Sequence, residues 1–154
     1  MGLDQYLYQK IRVDRIEENR PCLKIQTDGK NFNIPFEPQI EGIWKEVMYW
    51  RKNYALNDYF LDKCGNPQDD NCVYMYIHSG DIEELMDILQ QIVNAPTDKE
   101  KLDMALKYFP TTEDLREWFF SYYLEDFKKA LFMFKQLKEQ PEWEISEFYY
   151  YIWY

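Results

Sequence analysis

The chain holds one histidine, His78, and that single residue limits the nucleophilic chemistry open to it. A serine or cysteine triad needs an imidazole to take the nucleophile's proton, so any triad must use His78, and a zinc site built from several imidazoles is excluded. His78 falls where a strand run meets a helix, beside Ser79 and Gly80. The free N–H groups of that helix start can hold an anion, with His78 supplying a proton or a positive charge. The plainer reading, a hydrogen-bonded surface histidine at a strand end, is preferred. Cys64 and Cys72 bracket Asp69 and Asp70, which superficially suggests a metal loop. The ligand set is wrong for zinc, which takes four thiolate or imidazole ligands, and for calcium, which takes alternating oxygens and a bidentate Glu. A turn capped by its own carboxylates is expected there, with no metal and no cofactor.

Carboxylate pairs recur at Glu83-Glu84, Glu113-Asp114 and Glu125-Asp126, with Glu117 one turn beyond Glu113. Acid–base catalysis needs one carboxyl whose pKa is raised by its surroundings, whereas most of these map to the solvent side of their helices. With five glycines in the chain, there is no phosphate-cradling loop and no nucleophile elbow. Rings and cations converge in Tyr49-Trp50-Arg51-Lys52. With Trp50 packed inward, Arg51 and Lys52 can rim a groove lined by Tyr49, Tyr59 and tyrosines of the last strand, a combination that stacks a base and holds a phosphate. Core packing with ordinary helix charges is the competing reading.

Composition narrows the partners. The 154 residues carry a net charge of −10, and residues 73–154 hold eight basic against sixteen acidic side chains. Phosphate-backbone affinity rests on clustered Lys and Arg, and no such run exists, so direct nucleic-acid binding is disfavoured and a basic protein partner is expected. Solubility alone also accounts for an acidic surface. No apolar run is long enough to span a membrane, and MGLDQYLYQK lacks the zones of a signal peptide or a myristoylation signal, so a cytoplasmic location is expected. The three cysteines, Cys22, Cys64 and Cys72, are expected as free thiols. Aromatic residues make up 19% of the chain, with 14 Tyr against 10 Phe, so many rings should lie half in the core and half at a surface.

These features must be positioned by a single α+β domain, residues 1–154. Residues 3–13 and 22–36 alternate apolar and polar side chains, and Asp28-Gly29 is a tight-turn pair, so a small antiparallel sheet with an N-terminal hairpin is predicted. A helix is predicted over about 42–62, from the stripe Ile43, Val47, Trp50 and Tyr54, followed by a short strand near 73–78. A helix capped by Ser79 or Asp81 carries Ile82, Leu85, Met86, Leu89, Ile92 and Val93 on one face. Thr97-Asp98-Lys99-Glu100 is a capping box opening another, to about Tyr108. After Pro110 a long helix runs to about Glu139, with Leu115, Phe119, Tyr123, Phe127, Ala130, Phe134 and Leu137 inward. The closing ISEFYYYIWY is a strand too aromatic for a bare edge; it must pair centrally, be covered, or pair across a homodimer axis.

The opening Met-Gly-Leu-Asp-x-Tyr-Leu, Tyr49-Trp50-Arg51-Lys52 with Phe60 after it, Asp69-Asp70 before Cys72, Tyr123-Leu124-Glu125-Asp126 and the closing Phe148-Tyr149-Tyr150 resemble a family of small phage and prophage proteins that begin Met-Gly-Leu-Asp-Met-Tyr-Leu and end in an aromatic strand. The resemblance runs in order along most of the chain and brings a phage setting but no activity. Where the family follows Trp-Arg-Lys with an Asn and then a His, this sequence has Tyr54 and Asn57, so imidazole chemistry carried over to that segment would lack its imidazole. The family's Gly-Ser-containing segment before Tyr-Leu-Glu-Asp is shortened to Arg116–Ser121.

The leading expectation is therefore a non-enzymatic phage or prophage accessory protein that binds a basic host protein. One form is an inhibitor of a nucleic-acid-guided nuclease, in which Glu113, Asp114, Glu117, Glu125 and Asp126 compete for a basic channel. A small-ligand, nucleotide-type binder using Tyr49, Trp50, Arg51, Lys52 and Tyr59 is the alternative. An enzyme using His78 or a buried carboxylate is the third.

Overall fold

The structure, a computed structural model, describes residues 2–12, 22–27, 30–35, 42–65 and 72–153. Strand β1 (Asp4–Arg12) runs at the centre of a four-stranded antiparallel sheet with β4 (Gly42–Arg51), β5 (Tyr74–Ile77) and β6 (Ser146–Trp153), in the order β4-β1-β6-β5. Between β1 and β4 in sequence, β2 (Cys22–Thr27) and β3 (Lys30–Pro35) pair with each other, Thr27 opposite Lys30. The hairpin expected within 22–36 thus forms, but as a two-stranded sheet of its own; its Asp28-Gly29 turn lies outside the described residues. The aromatic β6 pairs on both sides, with β1 and β5, which gives its backbone groups the central position that so apolar a strand requires.

The main correction concerns residues 42–51, which form strand β4; helix α1 starts only at Tyr54 (Tyr54–Lys63). The apparent helical stripe has a local cause. Leu7 pairs with Met48 and Tyr8 with Glu46, so Val47 is the extra residue of a β-bulge, and both Val47 and Met48 are buried. A bulge places two neighbours on one side and breaks the two-residue alternation that marks a strand. Lys52 then takes a positive φ of 57°, its N–H donates to the Leu3 carbonyl at 2.7 Å, and Asn53 caps α1 by accepting from the Leu56 N–H at 3.0 Å.

Helix α2 (Ser79–Asn94) buries Ile82, Leu85, Ile88, Leu89 and Ile92. Its N-cap is His78, which the sequence reading had assigned to Ser79 or Asp81: the His78 Nδ1 accepts from the Gly80 N–H at 3.0 Å. Helix α3 (Asp98–Tyr108) opens with the expected capping box, in which Thr97 Oγ1 accepts from the Glu100 N–H and Glu100 Oε2 accepts from the Thr97 N–H. Thr97→Ala is expected to cost about 1 kcal/mol and to lower the thermal midpoint by roughly 2–4 °C for a chain of this size. An unchanged midpoint in calorimetry would show that tertiary packing alone holds this end.

The last helix is interrupted. After α4 (Leu115–Trp118), residues Phe119–Tyr123 form a π turn before α5 (Leu124–Lys138). The seven inward residues expected here are all buried. Their first three steps are each of four residues, and an α-helix drifts by about 40° at each such step. A π turn accommodates one extra residue and restores the phase, so Leu115, Phe119, Tyr123 and Phe127 stay on one face.

The helices cover one side of the sheet. The core joins Leu3, Leu7, Met48, Trp50, Met75, Ile77, Phe148, Tyr150 and Ile152 of the sheet side to the helix residues named above. Phe60 stacks on Tyr150 with centroids 4.8 Å apart. Two glutamines, Gln5 and Gln9, also point into this core and are fully buried. Gln5 is satisfied by a network: its Nε2 donates to the Asn53 carbonyl and to the Tyr150 hydroxyl, both at 2.9 Å, and its Oε1 accepts from the Asn53 N–H at 2.9 Å. The Tyr150 hydroxyl donates in turn to Asn57 Oδ1 at 2.8 Å. Among the described residues no helix is long and apolar enough to cross a membrane.

Candidate functional site

The side of the sheet that the described helices leave uncovered is paved with rings. β1 alternates, so that Leu3, Gln5, Leu7 and Gln9 face the helices while Tyr6 and Tyr8 face away. Register then sets Tyr6 between Tyr49 and Tyr151, Tyr8 beside Tyr149, and Tyr74 and Tyr76 opposite Tyr151 and Tyr149. With Trp44 added, eight rings form one connected patch, centroid separations running from 4.8 Å for Trp44–Tyr149 and Tyr74–Tyr151 to 6.4 Å for Tyr8–Tyr151. Trp44, Tyr49, Tyr74 and Tyr76 each remain about half exposed, at 47–52%. Charges sit among the rings: Lys10 Nζ lies 5.7 Å over Trp44, Arg12 meets Glu147 at 3.3 Å, and Asp4 accepts from the Tyr49 hydroxyl at 2.6 Å.

At one end of this face the short motifs singled out in the sequence meet. A side chain at Gly2 would press on Arg51 and Lys52, with a Cβ there only 3.2–3.3 Å from their side-chain atoms. Asp4 faces Arg51 Nε at 3.8 Å, and Asn53 Nδ2 donates to Asp126 Oδ2 at 3.0 Å. The start of β1, the end of β4 and the π turn therefore form one corner. Two clefts open on either side of it, sharing Arg51 and Tyr122. One, of about 540 Å³, lies between residues 47–51 of β4 and the side of α5 that carries Asp126, Lys129 and Met133. The other, of about 670 Å³, is bounded by Lys52, Tyr54, Asp114 and Trp118. Both volumes are in the range of ligand sites. The π turn supplies Tyr122 to both, and nothing in the sequence reading had picked out Tyr122; the repeated four-residue spacing was the available signal.

The phenols here are held neutral. Burial, with the Asp126 carboxylate beside it, pushes Tyr122 up to about 12. Tyr123 is raised further by burial and by its 2.6 Å hydrogen bond to Asp114, and burial with Glu84 and Asp81 raises Tyr59. A phenol whose folded pKa lies above its free value of about 10 keeps its proton in the fold when the unfolded chain has lost it. Its contribution is therefore complete below pH 10 and is lost as pH rises through the folded value, about 12 for Tyr122. The thermal midpoint should be flat across neutral pH and fall above about pH 10, less steeply in Tyr123→Phe. A midpoint that held level through that alkaline range would contradict this reading.

The residues expected to form a nucleotide pocket are not brought together as one. Trp50 is buried, its ring near Phe60 and Phe134 at 5.9 and 6.4 Å, so its faces are covered. Tyr49 turns to the ring-paved face, and Tyr59 lies away from both, donating to the Asp81 carbonyl at 2.7 Å. Arg51 and Lys52 are exposed and do reach the clefts. Of the acidic set, Glu113, Glu117 and Glu125 are exposed, Glu125 pairing with Lys128 at 2.6 Å. Asp114 and Asp126 are half-buried, engaged by Tyr123 and Asn53. Asn57 is buried, its Oδ1 accepting from the Tyr150 hydroxyl at 2.8 Å.

His78 is exposed and spends Nδ1 on the helix cap. Cys64 and Cys72 are not joined in a disulfide, and burial raises the Cys64 thiol to about 11; Asp69 and Asp70 between them lie outside the described residues. Among the described residues no three His, Cys, Asp or Glu side chains group closely enough to hold a metal ion. In comparisons with protein-family models, with curated protein sequences and with solved structures, nothing matches this chain.

Proposed function

We propose that this is a non-catalytic binding protein that holds a basic protein partner against the ring-paved face of its sheet. The observation that carries this is the connected patch of eight rings on the side of the sheet that the helices leave open. Tyr and Trp lose little conformational entropy on binding and dominate interface hot spots. Half-exposed rings offer their π faces to guanidinium and ammonium groups, an arrangement that Lys10 over Trp44 already displays within the chain. Asp4, Glu46 and Glu147 lie among them on the same strands. Two of the ion pairs there are long, Arg51–Asp4 at 3.8 Å and Lys10–Glu147 at 3.9 Å, so a partner's cation can replace the internal one. The net charge of −10 steers a basic partner at long range.

Within this reading, inhibition of a host defence nuclease by competition for its basic nucleic-acid channel is the specific form proposed, in a phage or prophage setting. Exposed Glu113 and Glu117 would add to the attraction; Asp114 and Asp126, already engaged inside the fold, would add less. The test is affinity capture from bacterial lysate at low and high salt, with native mass spectrometry of the eluate. A basic protein that is released by salt, and is not captured by Trp44→Ala/Tyr76→Ala, supports the proposal. A partner captured equally by that variant would overturn it.

A further inference from the structure

The cleft between β4 and α5 has a feature that the ring-paved face lacks: one wall is the open edge of a strand. β4 is the last strand on its side of the sheet, and among the described residues its outer edge pairs with no other strand. Five consecutive β4 residues, 47–51, line the cleft. The opposite wall is one side of a helix, with Tyr122, Asp126, Lys129 and Met133 recurring at the three- and four-residue spacing that stacks side chains along a helix. A strand edge facing a helix across a trough is the arrangement by which an extended peptide is bound as an added strand: the edge supplies main-chain hydrogen bonds, and the helix supplies side-chain selection. The bulge at Val47 disturbs only the start of this stretch, and the positive φ of Lys52 ends it.

The charge of the trough selects the peptide. Arg51 and Lys129 are exposed cations on its two walls, in a chain whose net charge is −10. Among the described lining residues the one carboxylate, Asp126, is engaged by Asn53 at 3.0 Å, and beside the cleft Asp4 meets Arg51 only at 3.8 Å, a long contact that an incoming carboxylate can share. Phe132, 62% exposed, and half-buried Met133 give the floor an apolar part. A nucleotide is disfavoured, because the Trp50 ring is covered and the Tyr49 hydroxyl is committed to Asp4.

We infer that the edge of β4 and the facing side of α5 bind an extended segment of another protein, in which an Asp or Glu lies next to apolar side chains. The acidic side chain sits between Arg51 and Lys129, an apolar neighbour rests on Phe132 and Met133, and the backbone extends the sheet beyond β4. This site adjoins the ring-paved face and shares Tyr49 and Arg51 with it, but its occupant is acidic where that of the face is basic, and it stands or falls on its own test.

The test is selection of a displayed library of random seven-residue peptides on the full chain, followed by fluorescence anisotropy with the enriched peptides. Enrichment of an acidic residue beside apolar ones is expected. Arg51→Glu/Lys129→Glu should weaken those peptides at least tenfold and, in a repeat selection, change the preference from acidic to basic. Lys99→Glu on α3 should leave both unchanged. In hydrogen exchange, alternate amides within residues 47–51, those not bonded to β1, should become protected when peptide binds. No enriched peptide, a preference indifferent to the charge reversal, or binding without that protection would overturn the inference. So would saturable binding of adenosine monophosphate that displaces the peptide label in a folded wild-type control, which would assign the cleft to nucleotides.

Discussion

Gln5→Ala is expected to lower the unfolding free energy by about 3–4 kcal/mol, which for a chain of this size lowers the thermal midpoint by roughly 6–16 °C. Gln5 is fully buried, and its amide exchanges two hydrogen bonds with the Asn53 backbone while donating a third to Tyr150. Removing it strands the Asn53 N–H and leaves a cavity. Each buried polar group left without a partner costs about 1–3 kcal/mol, more than the bond itself was worth net. The effect should spread through Asn53, which also caps α1 and holds Asp126. Tyr150→Phe should cost less, about 1–3 kcal/mol, because Gln5 keeps its bonds to Asn53, although one Gln5 N–H loses its acceptor and Asn57 loses its donor. Chemical denaturation of the two variants decides this. A Gln5→Ala loss below that of Tyr150→Phe would show that the fold is not tied together at Gln5.

The second large effect is on binding. Trp44→Ala/Tyr76→Ala should weaken the partner complex by at least about 30-fold, the effect of losing one hot-spot residue. It should change stability by less than about 1 kcal/mol per ring, since both are half-exposed and contribute only cross-strand pair energy. Both touch Tyr149, which sits on the central strand β6, so the double variant opens the middle of the patch. Isothermal titration against the captured partner, with thermal unfolding in parallel, separates the two quantities. Retained affinity would move the interface off the sheet. A loss of affinity matched by a loss of stability would mean that the rings serve the fold alone.

Much of the architecture was legible because it rests on short-range rules. The capping box at Thr97 and Glu100, the stripe of α2 and the seven inward residues of the last helix follow from spacing alone, since a helix repeats every 3.6 residues whatever it packs against. The aromatic last strand announced only that its edges must be paired or covered; its central place came from the structure. Where reading failed, a local irregularity had shifted the phase. The bulge at Val47 gave β4 the look of a helix, and the π turn at Phe119–Tyr123 was hidden inside a helical stripe.

By itself, the sequence determined the α+β class, the capped start of α3, the lone imidazole and the acidic balance, all properties of residue type and of neighbours within a few positions. Only the tertiary structure decided that Tyr6, Tyr8, Trp44, Tyr49, Tyr74, Tyr76, Tyr149 and Tyr151 share one surface, because that depends on the register of four strands far apart in the chain. It likewise decided that Trp50 is covered while Arg51 stays exposed at the clefts, that Tyr59 stands apart, and that Tyr122 joins the corner. A one-residue slip of any one of these strands would have turned that strand's rings toward the core.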